Sequence, residues 1–75
     1  MSKIRNTILD TAYKHFESER DKAVTNLQIL LANPTSIPEH PDMIKDVVDL
    51  VSKAADAVDG LAMLDTIKEK QDDRN

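Results

Sequence analysis

The helix breakers of this chain are confined to very few places, and that restricts its fold more than any other feature. Of its 75 residues one is Gly and three are Pro, and all three Pro fall between positions 34 and 41. A sheet fold needs turn residues at short intervals, and the long stretches on either side hold no Pro and a single Gly, Gly60. Those stretches are rich in Ala, Leu, Lys, Glu, Asp and Val, which a helix accommodates at little cost or packs against a neighbour. The expected architecture is an all-α, antiparallel two-helix hairpin forming one domain over residues 1–75. Its parts are a helix over about residues 3–32, a Pro-rich connector over 33–41, a helix over about 42–68 and a polar tail at 69–75 that should fray.

The first helix should end where Asn33 precedes Pro34, because the proline ring disfavours helical geometry at the residue before it. Within it Leu9, Tyr13, Phe16, Arg20, Ala23, Leu27 and Leu30 alternate steps of four and three. That period keeps one seam against a neighbouring helix. Ile4, Ile8 and Ala12 are expected to broaden the seam toward the N-terminus, while Val24, Ile29 and Leu31 spread apolar surface around the other half. Arg20 interrupts the seam with Glu19 beside it. It serves either as an ionic latch fixing register, or by laying its aliphatic stem along the seam with its guanidinium in water. The second reading asks less of the fold.

Two starts suit the second helix. Ser36-Ile37-Pro38-Glu39 matches a capping box, and Pro41 followed by Asp42 places a proline at the first helical position with a negative charge near the helix N-terminus. From there Ile44, Val47, Val48, Val51, Ala54, Ala55, Val58, Leu61 and Ala62 read as one apolar stripe, with Asp42, Asp46, Asp49, Lys53 and Asp56 opposite. Ala54, Ala55, Ala57, Gly60 and Ala62 make the middle narrow enough to receive Phe16 or Tyr13. Gly60, which costs roughly 1 kcal/mol relative to Ala inside a helix, marks either a bend or a tight contact. Met63, Leu64 and Ile67 fall off the stripe, so the helix bends there or those residues meet another partner.

Two slender helices share one line of contact and leave their flanks wet. A chain this small gains little net stability from such a contact unless it is stapled or associated, and without Cys the disulfide staple is excluded. Self-association into a helical bundle, most simply a dimer of hairpins, is therefore expected. Tyr13, Phe16, Arg20, Val24, Leu27, Leu31, Met63, Leu64 and Ile67 are the candidate oligomer or partner interface.

Catalytic chemistry finds no footing in the pattern. There is no Gly-rich phosphate loop, nucleophile elbow or Cys, so no enzyme and no cofactor are expected. His15 and Glu19 stand one helical turn apart but lack the further ligands that a metal needs, and His40 reads as a connector residue. No metal is expected. Ten Lys and Arg against 14 Asp and Glu give a net charge of −4, which disfavours direct nucleic-acid binding through broad positive charge. The longest apolar run, Ile29-Leu30-Leu31-Ala32, is far short of a membrane span, and the N-terminus has no apolar leader. A soluble, unprocessed protein of a reducing cytoplasm is expected, or of the host cytoplasm if the gene is viral; the small, acidic, Cys-free helical character suits a phage accessory protein.

The function expected is that of a non-enzymatic helical interaction protein, an adaptor, assembly factor or inhibitor, working as a homo-oligomer through contacts with itself and another protein. One alternative is capture of a small anionic ligand such as a nucleotide at a subunit boundary. The charge distribution motivates it: residues 1–22 hold five cations against four acids, whereas residues 23–75 hold five against ten. Lys3, Arg5, Tyr13, Lys14, Arg20 and Lys22 would be the ligand cluster, with His15 and Phe16 nearby. Another alternative is an acidic mimic, whose Asp-lined second helix occludes a nucleic-acid site on another protein.

Overall fold

The computed structural model describes residues 2–32 and 43–73, and over them the chain is entirely helical. Helix α1 spans Ser2–Ala32 and helix α2 spans Met43–Asp73. With 31 residues apiece, each is about 46 Å long at about 1.5 Å of rise per residue. The connector at 33–41, the two proposed starts at Ser36–Glu39 and Pro41–Asp42, and His40 lie outside the described residues. Helix α2 continues past Lys68 to Asp73, beyond the end expected from the loss of apolar residues.

Local chemistry supports both helices. Three threonines inside them donate their hydroxyls back one turn, Thr7 to the Lys3 carbonyl at 2.9 Å, Thr11 to the Thr7 carbonyl at 2.8 Å and Thr66 to the Ala62 carbonyl at 3.1 Å. The oxygen of each is thereby satisfied without leaving helical geometry. Asp46 in the first turn of α2 and Lys70 in its last turn each face the helix-dipole end of opposite sign.

The helices pack side by side and antiparallel: Leu9 lies near Leu64, and further along Phe16 meets Gly60 and Ala57. The α1 seam forms as its spacing requires. Leu9, Tyr13, Phe16, Arg20, Leu27 and Leu30 are half-buried, and Ala23 is buried. On α2 the seam is Met43, Val47, Leu50, Ala54, Ala57, Leu61 and Leu64, again in alternating steps of four and three, with Ala57 and Leu61 buried.

This seam corrects the single broad stripe expected of α2. Val47, Ala54 and Leu61 face α1, but Ile44, Val48, Val51, Ala55, Val58 and Ala62 are exposed, and Leu50, Ala57 and Leu64 take seam places instead. The nine residues belong to two interleaved stripes, each member of the exposed one directly following a seam residue. At 3.5 residues per turn, one residue is a rotation of about 100°, so the two stripes face different directions. Ile4 and Ile8 are likewise exposed and do not broaden the α1 seam, while Ala12 is half-buried.

Gly60 is a tight contact inside a continuous helix. A Cβ built there would lie 2.6–2.8 Å from Cε1, Cδ1 and Cζ of Phe16, closer than carbon atoms approach. The Phe16 ring therefore sits against bare backbone, which lets the helices close around a large side chain on a narrow partner. His15 meets the Phe16 ring edge-on at a centroid distance of 5.3 Å.

Candidate interaction surface

A hairpin of this shape shelters little. Among the described residues only Ala23, Ala57 and Leu61 are buried apolar side chains, at 3 %, 3 % and 7 % exposure. The radius of gyration is 17.1 Å, against about 11 Å for a globule of this length. Its accessible surface is 6020 Å², where a compact monomer of this mass exposes about 4,600 Å². Part of the exposed apolar surface falls together on one flank.

The seven-residue repeat fixes which exposed positions share a flank. Leu9, Asp10 and Tyr13 line one shallow concavity with Leu64, Asp65 and Lys68, so Asp10 and Asp65 lie on the same side of the hairpin. Stepping by sevens from Asp10 gives Glu17, Val24 and Leu31; stepping back by sevens from Asp65 gives Val58, Val51 and Ile44. Because the helices are antiparallel, these form a ladder: Asp10 with Asp65, Glu17 with Val58, Val24 with Val51, Leu31 with Ile44. The flank changes character along its length, acidic near Asp10 and Asp65 and apolar near the connector. Val48 extends the apolar part, and Ile44 is its most exposed member at 80 %.

The opposite flank is mixed. His15, Phe16 and Glu19 line a concavity there with Lys53, Asp56 and Ala57, placing Glu19 and Lys53 on one side with opposite charges. Repeating by sevens adds Arg5, Ala12 and Asn26 from α1 and Ile67, Gly60 and Asp46 from α2. No continuous apolar stripe arises.

The proposed interface residues therefore divide. Tyr13, Phe16, Arg20, Leu27 and Leu64 serve the hairpin's own seam, which gives them an intrachain role. Val24 and Leu31 lie together on the apolar flank, Ile67 is on the opposite flank, and Met63 lies outside both α2 stripes. Ile44, Val48, Val51, Ala55, Val58 and Ala62, which belong to the exposed stripe, are not among those candidate interface residues. Their own alternation of four and three was the available signal.

Arg20 shows how its polar seam position is managed. Its Nε donates to Asp21 Oδ1 at 3.0 Å, and its side chain keeps 37 % exposure. That matches a stem along the seam with its charge near water, and the acid at hand is Asp21 rather than Glu19. On the outer face of α2, Lys45 Nζ donates to Asp49 Oδ2 at 3.1 Å. This bond, and then the charges of Asp49 and Asp46, raise the Lys45 pKa above the ordinary 10.5.

The cations proposed to hold an anionic ligand are not gathered at one place. Lys14 and Lys22 line an open concavity with Glu17, Ser18, Asp21, Thr25 and Asn26, whereas Tyr13 lines the one beside Asp10 and Asp65. Arg5 donates from Nη1 to Asn6 Oδ1 at 3.3 Å, and Lys3 and Arg5 are both more than two turns from Lys14. Among the described residues no three His, Asp or Glu are grouped as metal ligands, and no helix is long and apolar enough to cross a membrane. In comparisons with protein-family models, curated proteins and solved structures, nothing matches this chain.

Proposed function

We propose that this chain is a non-enzymatic helical interaction protein, an adaptor, assembly factor or inhibitor that works through protein–protein contacts and as a homo-oligomer in a reducing cytoplasm. One observation carries the reading: a full apolar repeat of α2 is exposed, while among the described residues the buried core is two alanines and a leucine. Exposed apolar surface that is contiguous and ordered on one flank is the mark of a contact surface, whereas single scattered apolar residues are ordinary. The anionic-ligand reading rests on Lys14 and Lys22, which share one open concavity with the acids Glu17 and Asp21. The acidic-mimic reading rests on Asp46, Asp49 and Asp56, which also serve as the solvated side of an amphipathic helix.

Thermal unfolding over a hundredfold range of protein concentration tests the reading. A self-associating chain gains stability by mass action, so its midpoint should rise with concentration. A midpoint independent of concentration, with a cooperative transition throughout, overturns the homo-oligomer.

A further inference from the structure

The exposed stripe of α2 is built to match itself. Ile44, Val48, Val51, Ala55, Val58 and Ala62 are separated by steps of four, three, four, three and four, an order that reads the same in both directions. Reversing the helix on itself pairs every apolar position with an apolar position. We propose that this stripe seats a second copy of the chain, docked antiparallel through the same stripe about a twofold axis. Ile44 then meets the partner's Ala62, Val48 the partner's Val58, and Val51 the partner's Ala55. The proposal rests on the reading of the chain as a self-associating protein and specifies the surface, orientation and register of that association.

Four observations support this occupant. The stripe lies about 100° around α2 from the seam, close to the right angle at which a helix in a square four-helix bundle meets its second neighbour. Its layers combine large with small at Ile44 and Val51, each facing an alanine, so the two α2 helices can approach closely. On the solvent side the stripe is bordered by Lys45, Ser52 and Asp59. In the antiparallel register Lys45 flanks the partner's Asp59, and Ser52 flanks the partner's Ser52, so opposite charges meet twice across the axis. Helix α1 offers no equivalent match: the exposed series Ile4, Ile8, Thr11, His15, Ser18, Lys22, Thr25 and Ile29 is apolar only at its ends.

A stable interface takes about 800 Å² from each partner, so a dimer docked through this face draws on more than the six stripe residues. Val24 and Leu31 border the stripe on the same flank and extend it beyond α2 alone.

The chain has no cysteine, so the register can be read by disulfide cross-linking. Ile44→Cys and Ala62→Cys are prepared as separate chains, both at exposed positions, mixed at equal concentration and oxidised, with circular dichroism confirming that each is helical. The expected product is predominantly the mixed dimer joining residue 44 of one chain to residue 62 of the other. Positions 44 and 62 are about 27 Å apart along one helix at about 1.5 Å per residue, so only antiparallel copies in this register bring them together. Like-with-like products, or no cross-link from a chain that still sediments as a dimer, overturn the proposed register while self-association stands. A chain that sediments as a folded monomer overturns both. Charge reversal gives a second measurement: Lys45→Asp should weaken the dimer several-fold and Lys45→Asp with Asp59→Lys should restore it. A double variant no better than the single one overturns the Lys45–Asp59 pairing.

Discussion

Two faces of the same helix carry the same repeat and meet different fates. Seam residues Met43, Val47, Leu50, Ala54, Ala57, Leu61 and Leu64 close against α1, while the stripe that follows them by one residue stays open. Period does not separate them, and neither does apolar content. What separates them is the place for Phe16: the seam presents Ala54 and Ala57 beside Gly60, narrow enough for its ring, and the stripe has no glycine. A heptad repeat thus specifies that a helix will be met along a line, and side-chain size selects which neighbour meets it.

The comparison breaks most completely at the seam. Leu61→Asp places an unpaired charge where only 7 % exposure remains, and a loss of about 4 kcal/mol or more approaches the whole stability of a small domain. Circular dichroism should show loss of most helix at room temperature; an intact cooperative transition would mean that the hairpin does not depend on this seam. The same change on the open stripe acts elsewhere. Val51→Asp should abolish the concentration dependence of the thermal midpoint, whereas Met63→Asp, exposed but outside both stripes, should preserve it. Equal effects from the two would show that the stripe has no special role.

A smaller effect sharpens the role of shape. Gly60→Ala gains about 1 kcal/mol of helix propensity but overpacks Phe16 at a typical cost of about 1–3 kcal/mol. A net loss of about 1 kcal/mol is expected in denaturant unfolding, with Phe16→Leu relieving part of it in the double variant. A simple gain in stability would mean that the ring moves aside freely. The smallest effect belongs to Lys45. Its pKa is raised by the hydrogen bond to Asp49, so the associated stability is full below the ordinary 10.5 and is lost as pH rises through the higher folded value. Because the pair is exposed, the decrease in thermal midpoint above that pH should be slight, and Asp49→Asn should remove it. A decrease unchanged in Asp49→Asn would assign the alkaline loss to other groups.

Much of this structure was legible from residue spacing. The α1 seam from Leu9 to Leu30 is found where its steps placed it, because the alternation of four and three runs unbroken through all seven positions. The close approach of Phe16 to the small residues of α2 follows from size alone, and the packed structure chooses tight contact over a bend at Gly60. The α2 seam was harder to read, since Val47-Val48, Ala54-Ala55 and Leu61-Ala62 put an apolar residue on both stripes at the same turn. A period near 3.6 merges two such stripes into one, and only the position of α1 separates them. Leu64 illustrates the consequence: it falls off the merged stripe yet sits in the true seam. Of the cations grouped by proximity along α1, Lys14 and Lys22 share one concavity.

Sedimentation equilibrium of the unmodified chain beside Val48→Asp tests the open stripe most directly. At micromolar concentration the unmodified protein should have twice its chain mass of 8.4 kDa, and Val48→Asp should have the mass of one chain. Equal masses for the two, whether single or double, would contradict the assignment of this stripe to a second copy.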